Sequence, residues 1–345
     1  MSNTGSPWSS NVQLYDNDGT WSGAVTPSSP GLTGTFTEGN TITLAGSGYG
    51  TLGVTTKYDD FEDGTNGQLI SARPDWKTDI GYGGVEPKVS SAQAYAGSLS
   101  GRSQIVSSGD SATYLDTLDF REVYVAFAYR GNIESGVSAT TVKGLRVHAD
   151  DGPNVYTSYP GILEQEIIDD YSGNGRRFTV LPGQASGSPN ESSLYPSDSP
   201  VPATWEYLEY YFKQGDAGVA NGIVQVWEDL VSVENSVAVI TNDSGVTNSW
   251  KLLMLPFYWG NGSGGDHFYD LVHISLDQGK ARVMAGDNAV FSSCTKLEAM
   301  NTLTRVDGEI TFKVPANTFA AASTVYIHVI NSAGTSTANY STTVV

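Results

Sequence analysis

The stretch 204-TWEYLEYYFKQG-215 decides the fold class, because its apolar side chains recur at every second position. Successive side chains of a β-strand point to opposite faces of a sheet, so Leu208, Tyr210 and Phe212 share one face. This pattern predicts a strand with one side in a hydrophobic core.

Similar segments recur on both sides of this stretch, separated by loops rich in Gly, Ser and Asn. They are 121-REVYVAFAYRG-131, 221-NGIVQVWED-229, 249-SWKLLMLPFYWG-260 and 267-HFYDLVHISL-276. No helical period lies between them. We therefore predict an all-β fold in which residues 57–279 form a two-sheet antiparallel sandwich.

The two ends of the chain carry strand-like segments that are each too short for a complete sandwich. In the C-terminal segment, Val325, Ile327 and Val329 share one face. We expect residues 28–56 to pair with residues 280–345 as one small domain, with the large domain inserted between them. Residues 1–27 have too little apolar surface for a core and are predicted to form an extended N-terminal arm.

Charge and composition exclude several classes of protein. The formal net charge is −19, from 37 acidic and 18 basic residues in 345, which repels polyphosphate and predicts no nucleic-acid partner. No segment has the roughly 20 apolar residues needed to cross a bilayer, and the N-terminus lacks the pattern of a signal peptide. The single cysteine, Cys294, is predicted to be a buried apolar side chain in a reducing compartment.

Two resemblances to known families follow from these segments. The segment 34-GTFTEGNTITLAGSGYGT-51 is similar to the opening strands of IPT/TIG immunoglobulin-like domains, and the C-terminal segment resembles their closing strands. The middle resembles concanavalin A-like jelly rolls of the lectin, laminarinase and polysaccharide-lyase type, through 59-DDFEDGTNG-67 and the segments 205–229 and 268–287. The resemblance implies a jelly-roll sandwich plus a small immunoglobulin-like sandwich.

The acidic stretch 59-DDFEDGTNG-67 is a candidate metal site. It does not fit an EF-hand, because Phe61 and Ile70 occupy positions that need oxygen ligands. In jelly-roll carbohydrate modules such a stretch often shares a structural Ca²⁺ with a later Y-x-D motif. The resemblance therefore implies calcium at Asp60, Glu62 and Asp270, and no other cofactor. The alternative is that the glycines form turns and the acids are solvated.

Two segments are similar to catalytic motifs but depart from them. Glu164, Glu166 and Asp169 follow the E-x-D-x-x-E pattern of laminarinase-type hydrolases, with the wrong acid at two positions, and a shortened proton donor would be misplaced. The segment Tyr210–Gly215 is similar to the Y-F-K-x-G strand of jelly-roll alginate lyases. The tyrosine expected after it is absent, and Trp227 replaces the histidine of the partner motif Q-I-H. We therefore predict no catalytic residues.

The face opposite Leu208, Tyr210 and Phe212 is a candidate glycan-binding surface, because aromatic rings stack on the apolar faces of sugars. Its residues are Trp205, Tyr207, Glu209, Tyr211 and Lys213, extended by Trp227. The alternative is that these rings are packing residues. The four histidines lack metal-binding spacing, and His148, beside Asp150 and Asp151, is predicted to lie in a polar loop.

The split arrangement resembles structural and tail-associated proteins of bacteriophages. The sequence therefore predicts a non-enzymatic virion protein, a capsid decoration, fibre or tail-associated subunit that binds glycans through its jelly roll. Expected partners are other virion proteins, further copies of the chain and cell-surface polysaccharide, without membrane insertion, and assembly is expected in the host cytoplasm. Two alternatives stay open: a polysaccharide-degrading lyase or glycoside hydrolase of the jelly-roll type, and a carbohydrate-binding adhesin.

Overall fold

The computed structural model describes residues 13–15, 21–24, 31–46, 49, 53–79, 85–105, 111–133, 140–149, 162–169, 176–181, 192–194, 204–242, 248–255, 257–258 and 265–345. Side chains are described for these residues except 13–15, 21–24, 79, 105, 132–133, 140–144, 162–169, 176–181, 192–194, 257–258, 265 and 337–339. The predicted arm, residues 1–27, therefore lies outside the described residues apart from two short paired strands.

The described chain is almost entirely β-structure. The strands of its first half are β1 (Gln13–Tyr15), β2 (Trp21–Ala24), β3 (Leu32–Thr33), β4 (Thr41–Ala45), β5 (Lys57–Asp59), β6 (Lys77–Asp79), β7 (Lys88–Ser90), β8 (Ser100–Ile105), β9 (Ala112–Leu115), β10 (Glu122–Ile133), β11 (Thr140–His148), β12 (Ile162–Asp169) and β13 (Arg176–Leu181). Those of its second half are β14 (Ser192–Leu194), β15 (Glu206–Lys213), β16 (Gly222–Glu228), β17 (Val231–Val239), β18 (Leu252–Met254), β19 (Phe257–Tyr258), β20 (Gly265–Leu276), β21 (Arg282–Gly286), β22 (Leu297–Ala299), β23 (Asn301–Val306), β24 (Glu309–Lys313), β25 (Thr324–Ile330) and β26 (Ser336–Thr343).

The helical elements in the described part are two 3₁₀ turns, Ile70–Ala72 and Phe291–Ser293. No helix among the described residues is long and apolar enough to cross a membrane.

Among the described residues, the strands form two large and two small sheets, besides the β1–β2 pair. The first large sheet has the order β17-β16-β15-β10-β20-β8-β7, with β5 also paired to β20. The second has the order β14-β13-β12-β11-β18-β9-β6, with β19 also paired to β11. The small sheets have the orders β22-β21-β25-β26 and β23-β24-β4-β3. The strand pairs whose register the structure gives within these sheets are antiparallel, which confirms the predicted all-β antiparallel class.

One compact unit comprises residues 1–60, 123–126 and 271–345 and contains the two small sheets. The N-terminal strand β4 pairs with β24 of the C-terminal segment, so that Ile42 lies opposite Phe312. Both side chains are fully buried, in one core with Val325, Ile327 and Val329 as the alternation of these residues predicts. The boundaries of the predicted immunoglobulin-like domain stay a prediction.

The other compact unit comprises residues 61–122 and 127–270 and contains most of the two large sheets. Tyr210 of β15 stacks on Phe127 of β10, with ring centroids 5.7 Å apart. The hydroxyl of Tyr269 on β20 lies 2.6 Å from Thr113 Oγ1 on β9, a strand of the second large sheet. The Tyr269–Thr113 contact crosses to the second sheet, so the side of the first large sheet that carries Tyr269 is its core side. Tyr129 of β10 stacks on His267 of β20, which places Phe127 on that side as well.

The position of His148 differs from the sequence prediction. It is the last residue of β11, pairs with Leu252 of β18 and is fully buried, so the predicted polar loop is wrong. The alternating Leu145 and Val147 extend the strand to this point. Burial, and then the nearby charge of Arg146, hold the pKa of His148 well below its usual value.

Cys294 is buried, as predicted.

Candidate functional site

The first large sheet carries polar side chains on the side opposite its core. Residues that alternate with the core-facing Tyr210, Phe127 and Tyr269 point to this opposite side. We call it the polar face and define it by the following described residues: Arg102, Glu122, Tyr207, Glu209, Tyr211, Lys213, Asp266, Phe268 and Asp270.

Glu122 is the centre of a three-residue cluster on the polar face. It begins β10, and Lys213 ends the neighbouring strand β15, so the two side chains meet at one edge of the pair. Glu122 Oε1 lies 2.6 Å from Lys213 Nζ, and Glu122 Oε2 accepts a hydrogen bond of 3.2 Å from the Tyr211 hydroxyl. The side chains of Lys213 and Glu122 are 43% and 23% exposed, so a solute can reach the ion pair.

Tyr211 keeps its proton at neutral pH. Burial raises the pKa of its hydroxyl above the usual value, and the charge of Glu122 and the hydrogen bond to it raise the pKa further. The cluster therefore places a cation and a protonated hydroxyl on the two oxygens of one carboxylate. Such a set can bind an anion and move a proton at the same point.

A second ion pair lies elsewhere on the polar face, between Arg102 of β8 and Asp266 of β20. Arg102 Nη2 donates to both carboxylate oxygens, at 2.7 and 2.9 Å, and its Nε donates to one of them at 3.0 Å. The guanidinium lies 5.9 Å from the centre of the Phe268 ring. The side chains of Arg102 and Asp266 are 30% and 26% exposed, so this pair is also accessible.

An aromatic cluster adjoins β15 on this face. The Tyr95 ring lies 5.7 Å from Trp205 at an interplanar angle of 63° and 6.4 Å from Tyr207 at 30°. Tyr95 and Trp205 are partly exposed, whereas Tyr207 is almost fully buried. Exposed ring surface of this kind suits the apolar face of a sugar.

The residues of the predicted glycan-binding surface do not share one environment. Tyr207, Glu209 and Tyr211 are at most 5% exposed, while Trp205, Lys213 and Trp227 are partly exposed. Trp227 of β16 lies directly opposite Glu209 in the strand register. Packing therefore accounts for part of this surface, and the exposed part is narrower than the alternation alone predicts. Glycan binding by these residues stays a prediction.

The acidic stretch Asp59–Gly67 is a turn that follows β5. Gly64 N–H donates to Phe61 O at 2.9 Å, and Asp63 forms an ion pair with Arg73 at 2.5 Å. Phe61 has a positive φ of 61° and a fully buried ring, so a bulky side chain occupies a conformation usually left to glycine. The turn interpretation of this stretch thus accounts for its geometry.

The carboxylates of the predicted calcium site accept hydrogen bonds from backbone N–H groups. Asp60 Oδ2 accepts from Ala316 at 3.2 Å, and Glu62 and Asp270 accept from the loop between β7 and β8. Among the described residues, no group of three or more His, Cys, Asp or Glu side chains is placed to hold a metal ion. Calcium at Asp60, Glu62 and Asp270 stays a prediction that these contacts do not support.

The acids of the hydrolase-like pattern lie on β12, and their side chains are outside the described residues. The strand register places Glu166 opposite Lys143 of β11 and Arg177 of β13, while Glu164 lies opposite Arg146. Asp169 lies opposite Thr140 at the end of the strand pair.

Four residues of this region were not predicted from the sequence: Tyr95, Arg102, Glu122 and Asp266. Glu122 and Lys213 lie 91 residues apart in the sequence, and the pairing of strands brings them together. The available signal was the strand alternation of 121-REVYVAFAYRG-131, which places Glu122 on the side opposite Val123 and Val125.

Comparisons with known proteins find solved structures that are similar to this chain. No protein-family model and no curated protein matches the chain. A mutant alginate lyase in complex with an alginate tetrasaccharide is 13% identical over 65% of this chain and 98% of the enzyme, with a TM-score of 0.46. An endo-β-1,4-glucuronan lyase from the fungus Trichoderma reesei is 13% identical over 65% and 96%, with a TM-score of 0.45. An alginate lyase from Chlorella virus is 10% identical over 64% and 99%, with a TM-score of 0.42.

These findings overturn two predictions from the sequence. We predicted a non-enzymatic bacteriophage virion protein, whereas these solved structures are polysaccharide lyases. Nothing in the comparisons supports a phage protein or an IPT/TIG domain. The prediction equated the loss of two family motifs with the loss of activity. At 10 to 13% identity and TM-scores of 0.42 to 0.46, the likeness carries no catalytic residue over to this chain. The predicted partners and location stay predictions.

Proposed function

We propose that the protein is an enzyme that binds an acidic polysaccharide on its polar face and cleaves it by β-elimination, as a polysaccharide lyase with a jelly-roll, concanavalin A-like domain. One observation carries the proposal: Glu122 contacts a lysine through one oxygen and a protonated tyrosine through the other. A cation, a base and an acid are the three groups that this reaction needs.

Elimination from a polyuronate has a defined balance of protons and bonds. A base removes the proton from the ring carbon that bears the carboxylate. The bond between the neighbouring ring carbon and the glycosidic oxygen then breaks. A double bond forms between these two ring carbons. The departing oxygen takes up a proton from an acid. Because negative charge builds up on the carboxylate during the reaction, a cation beside it lowers the barrier.

The three residues of the cluster fit these roles. Lys213 has three donors, so its ammonium can bind a substrate carboxylate while it keeps the contact with Glu122. Glu122 is the proposed base. Tyr211, whose raised pKa keeps it protonated, is the proposed acid that protonates the departing oxygen.

The hydrogen bond between Tyr211 and Glu122 also restores the starting state. After one turnover Glu122 carries the substrate proton and Tyr211 is ionised. Because the two side chains are hydrogen-bonded at 3.2 Å, the proton can return from the carboxyl to the phenolate. Each group is then ready for a second reaction without exchange with solvent.

The rest of the polar face supplies binding groups for sugars beside the cleaved bond. Arg102 is accessible and bears a positive charge, and Trp205, Tyr95 and Trp227 offer exposed ring surface. These groups suit a chain in which carboxylates and apolar sugar faces alternate.

The test incubates the purified protein with polymannuronate, polyglucuronate and neutral β-glucans. Reducing ends are measured by a colour reaction, and unsaturated uronate by its ultraviolet absorbance. A lyase raises both signals together on a polyuronate and neither on a neutral glucan. Reducing ends without the absorbance would show hydrolysis, and no product on any polymer would contradict an enzyme of either kind.

A further inference from the structure

The loop of residues 91–99, which joins β7 to β8, is tied to the polar face by a buried carboxylate. Asp270 is fully buried, and its Oδ2 accepts the N–H groups of Tyr95 and Ala96 at 2.9 and 3.1 Å. One side-chain oxygen thus holds two neighbouring backbone N–H groups. Asp270 therefore fixes the backbone of Tyr95.

A second carboxylate holds the far end of the same loop. Glu62 Oε1 accepts the N–H groups of Ser98 and Leu99 at 2.8 and 2.6 Å, and its Oε2 accepts the Ser98 hydroxyl at 2.9 Å. Gly97 has a φ of +64°, and a Cβ there would lie 2.5 Å from the Glu62 carboxylate. Only glycine permits this close approach, so the loop is shaped around the acid.

The two anchors determine where the Tyr95 ring lies. With its backbone held by Asp270, the ring packs on Trp205 and Tyr207 at 5.7 and 6.4 Å. Tyr95 and Trp205 keep part of their surface exposed. Without these anchors, the loop would lose conformational entropy when a ligand ordered it, and this loss would weaken binding.

We propose that Tyr95, Trp205 and Tyr207 form a stacking subsite for one pyranose ring of an acidic oligosaccharide, and that Asp270 and Glu62 are its positioning residues. The choice of ligand rests on the proposed function. The exposed parts of the Tyr95 and Trp205 rings offer flat apolar surface, which suits the apolar face of a pyranose. The accessible cations Lys213 and Arg102 on the same face favour a sugar chain that carries carboxylates.

The first experiment measures the affinity of the full chain for oligouronates of two to six sugars through its tryptophan fluorescence. Tyr95→Ala removes one ring from an exposed loop. We expect Kd to rise about two- to tenfold, the amount that one aromatic contact contributes. KM should rise by the same factor with kcat unchanged, because stacking acts equally on ground state and transition state. Tyr326→Ala, which removes a partly exposed ring from β25, is the matched control.

The second experiment tests the positioning role. Asp270→Ala removes both backbone hydrogen bonds and should weaken binding as Tyr95→Ala does, whereas Asp270→Asn keeps an acceptor oxygen and should restore most of the affinity. If Asp270→Ala does not fold, Tyr95→Ala and Glu62→Ala test whether the loop positions the subsite. Both residues are partly exposed, so these variants should fold.

The outcomes separate this inference from the proposed function. Elimination activity with Kd and KM unaffected by Tyr95→Ala would overturn the subsite and leave the lyase standing. Binding that is weakened by Tyr95→Ala, in a protein that makes no product, would support the subsite and overturn the lyase. Equal weakening by Tyr326→Ala would overturn the subsite as well.

Discussion

Lys213 Nζ lies 2.6 Å from Glu122 Oε1, at the point where the end of β15 meets the start of β10. The pair is partly exposed, and exposed ion pairs contribute at most about 1 kcal/mol to folding. The pair therefore contributes little to folding, whereas the proposed function gives it a role beside Tyr211.

Replacement of the lysine separates these two explanations. Lys213→Gln should lower kcat/KM on a polyuronate by about two to three orders of magnitude, the cost of removing a cation from developing charge. The unfolding temperature should change by only a few degrees, measured by circular dichroism. Lys313→Gln, at an exposed lysine of β24, is the control and should leave both quantities unchanged. A large loss of stability with full activity would assign the pair to folding.

Removal of the tyrosine hydroxyl tests the acid. Tyr211→Phe keeps the ring, which is almost buried, and deletes only the group that donates to Glu122. We expect kcat to fall by about 10²- to 10⁴-fold with little change in KM, because proton transfer acts in the transition state. Tyr326→Phe serves as the control. A variant with more than half of the original kcat would exclude Tyr211 as the acid.

Buried histidines should make the protein less stable in acid. Burial lowers the pKa of His267 to about 4 and that of His273 to about 3. Below about pH 6.5 the unfolded chain therefore binds protons that the folded chain does not, and the free energy of unfolding falls as the pH decreases from there toward 4. Urea titrations at pH 7, 6 and 5 measure this slope. His267→Gln should flatten it, and an unchanged slope would contradict the burial argument.

Glu298 should have the opposite dependence on pH. Burial raises its pKa to about 7, although Oε1 accepts two hydrogen bonds from Thr318. Between about pH 4.5 and 7 the folded chain therefore holds a proton that the unfolded chain releases. The free energy of unfolding falls as the pH rises through this range and levels off above it. Glu298→Gln should make the unfolding temperature vary less between about pH 5 and 8. An identical variation in both proteins would show that Glu298 does not titrate in this range.

Strand alternation was sufficient to predict the core. Leu208, Tyr210 and Phe212 are fully buried, as their spacing indicates. Alternation did not predict the burial of the side chains on the opposite face. Tyr207 and Tyr211 are also buried, because their neighbours come from Tyr95 and Glu122 on segments distant in the sequence.

The candidate site was harder to predict because its parts come from different strands. Lys213 is part of a segment that is similar to a family motif. Its contact with Glu122, however, depends on which strands are neighbours in the sheet and on their register. Asp270 was assigned to calcium from a short motif, whereas in the structure its oxygen accepts backbone N–H groups of a loop. A sequence shows that an acid is present, and only the fold shows what the acid contacts.

The most direct test compares the wild-type protein with Glu122→Gln, which keeps the side-chain shape and removes the base. The measurement is the initial rate at which unsaturated uronate ends form from polymannuronate or polyglucuronate, with oligouronate affinity measured in parallel. We predict steady formation of unsaturated ends by the wild type and a loss of about two orders of magnitude or more in the variant, at similar affinity. No unsaturated product from the wild type, or equal rates in the two proteins, would contradict the assignment of this cluster as the centre of a lyase.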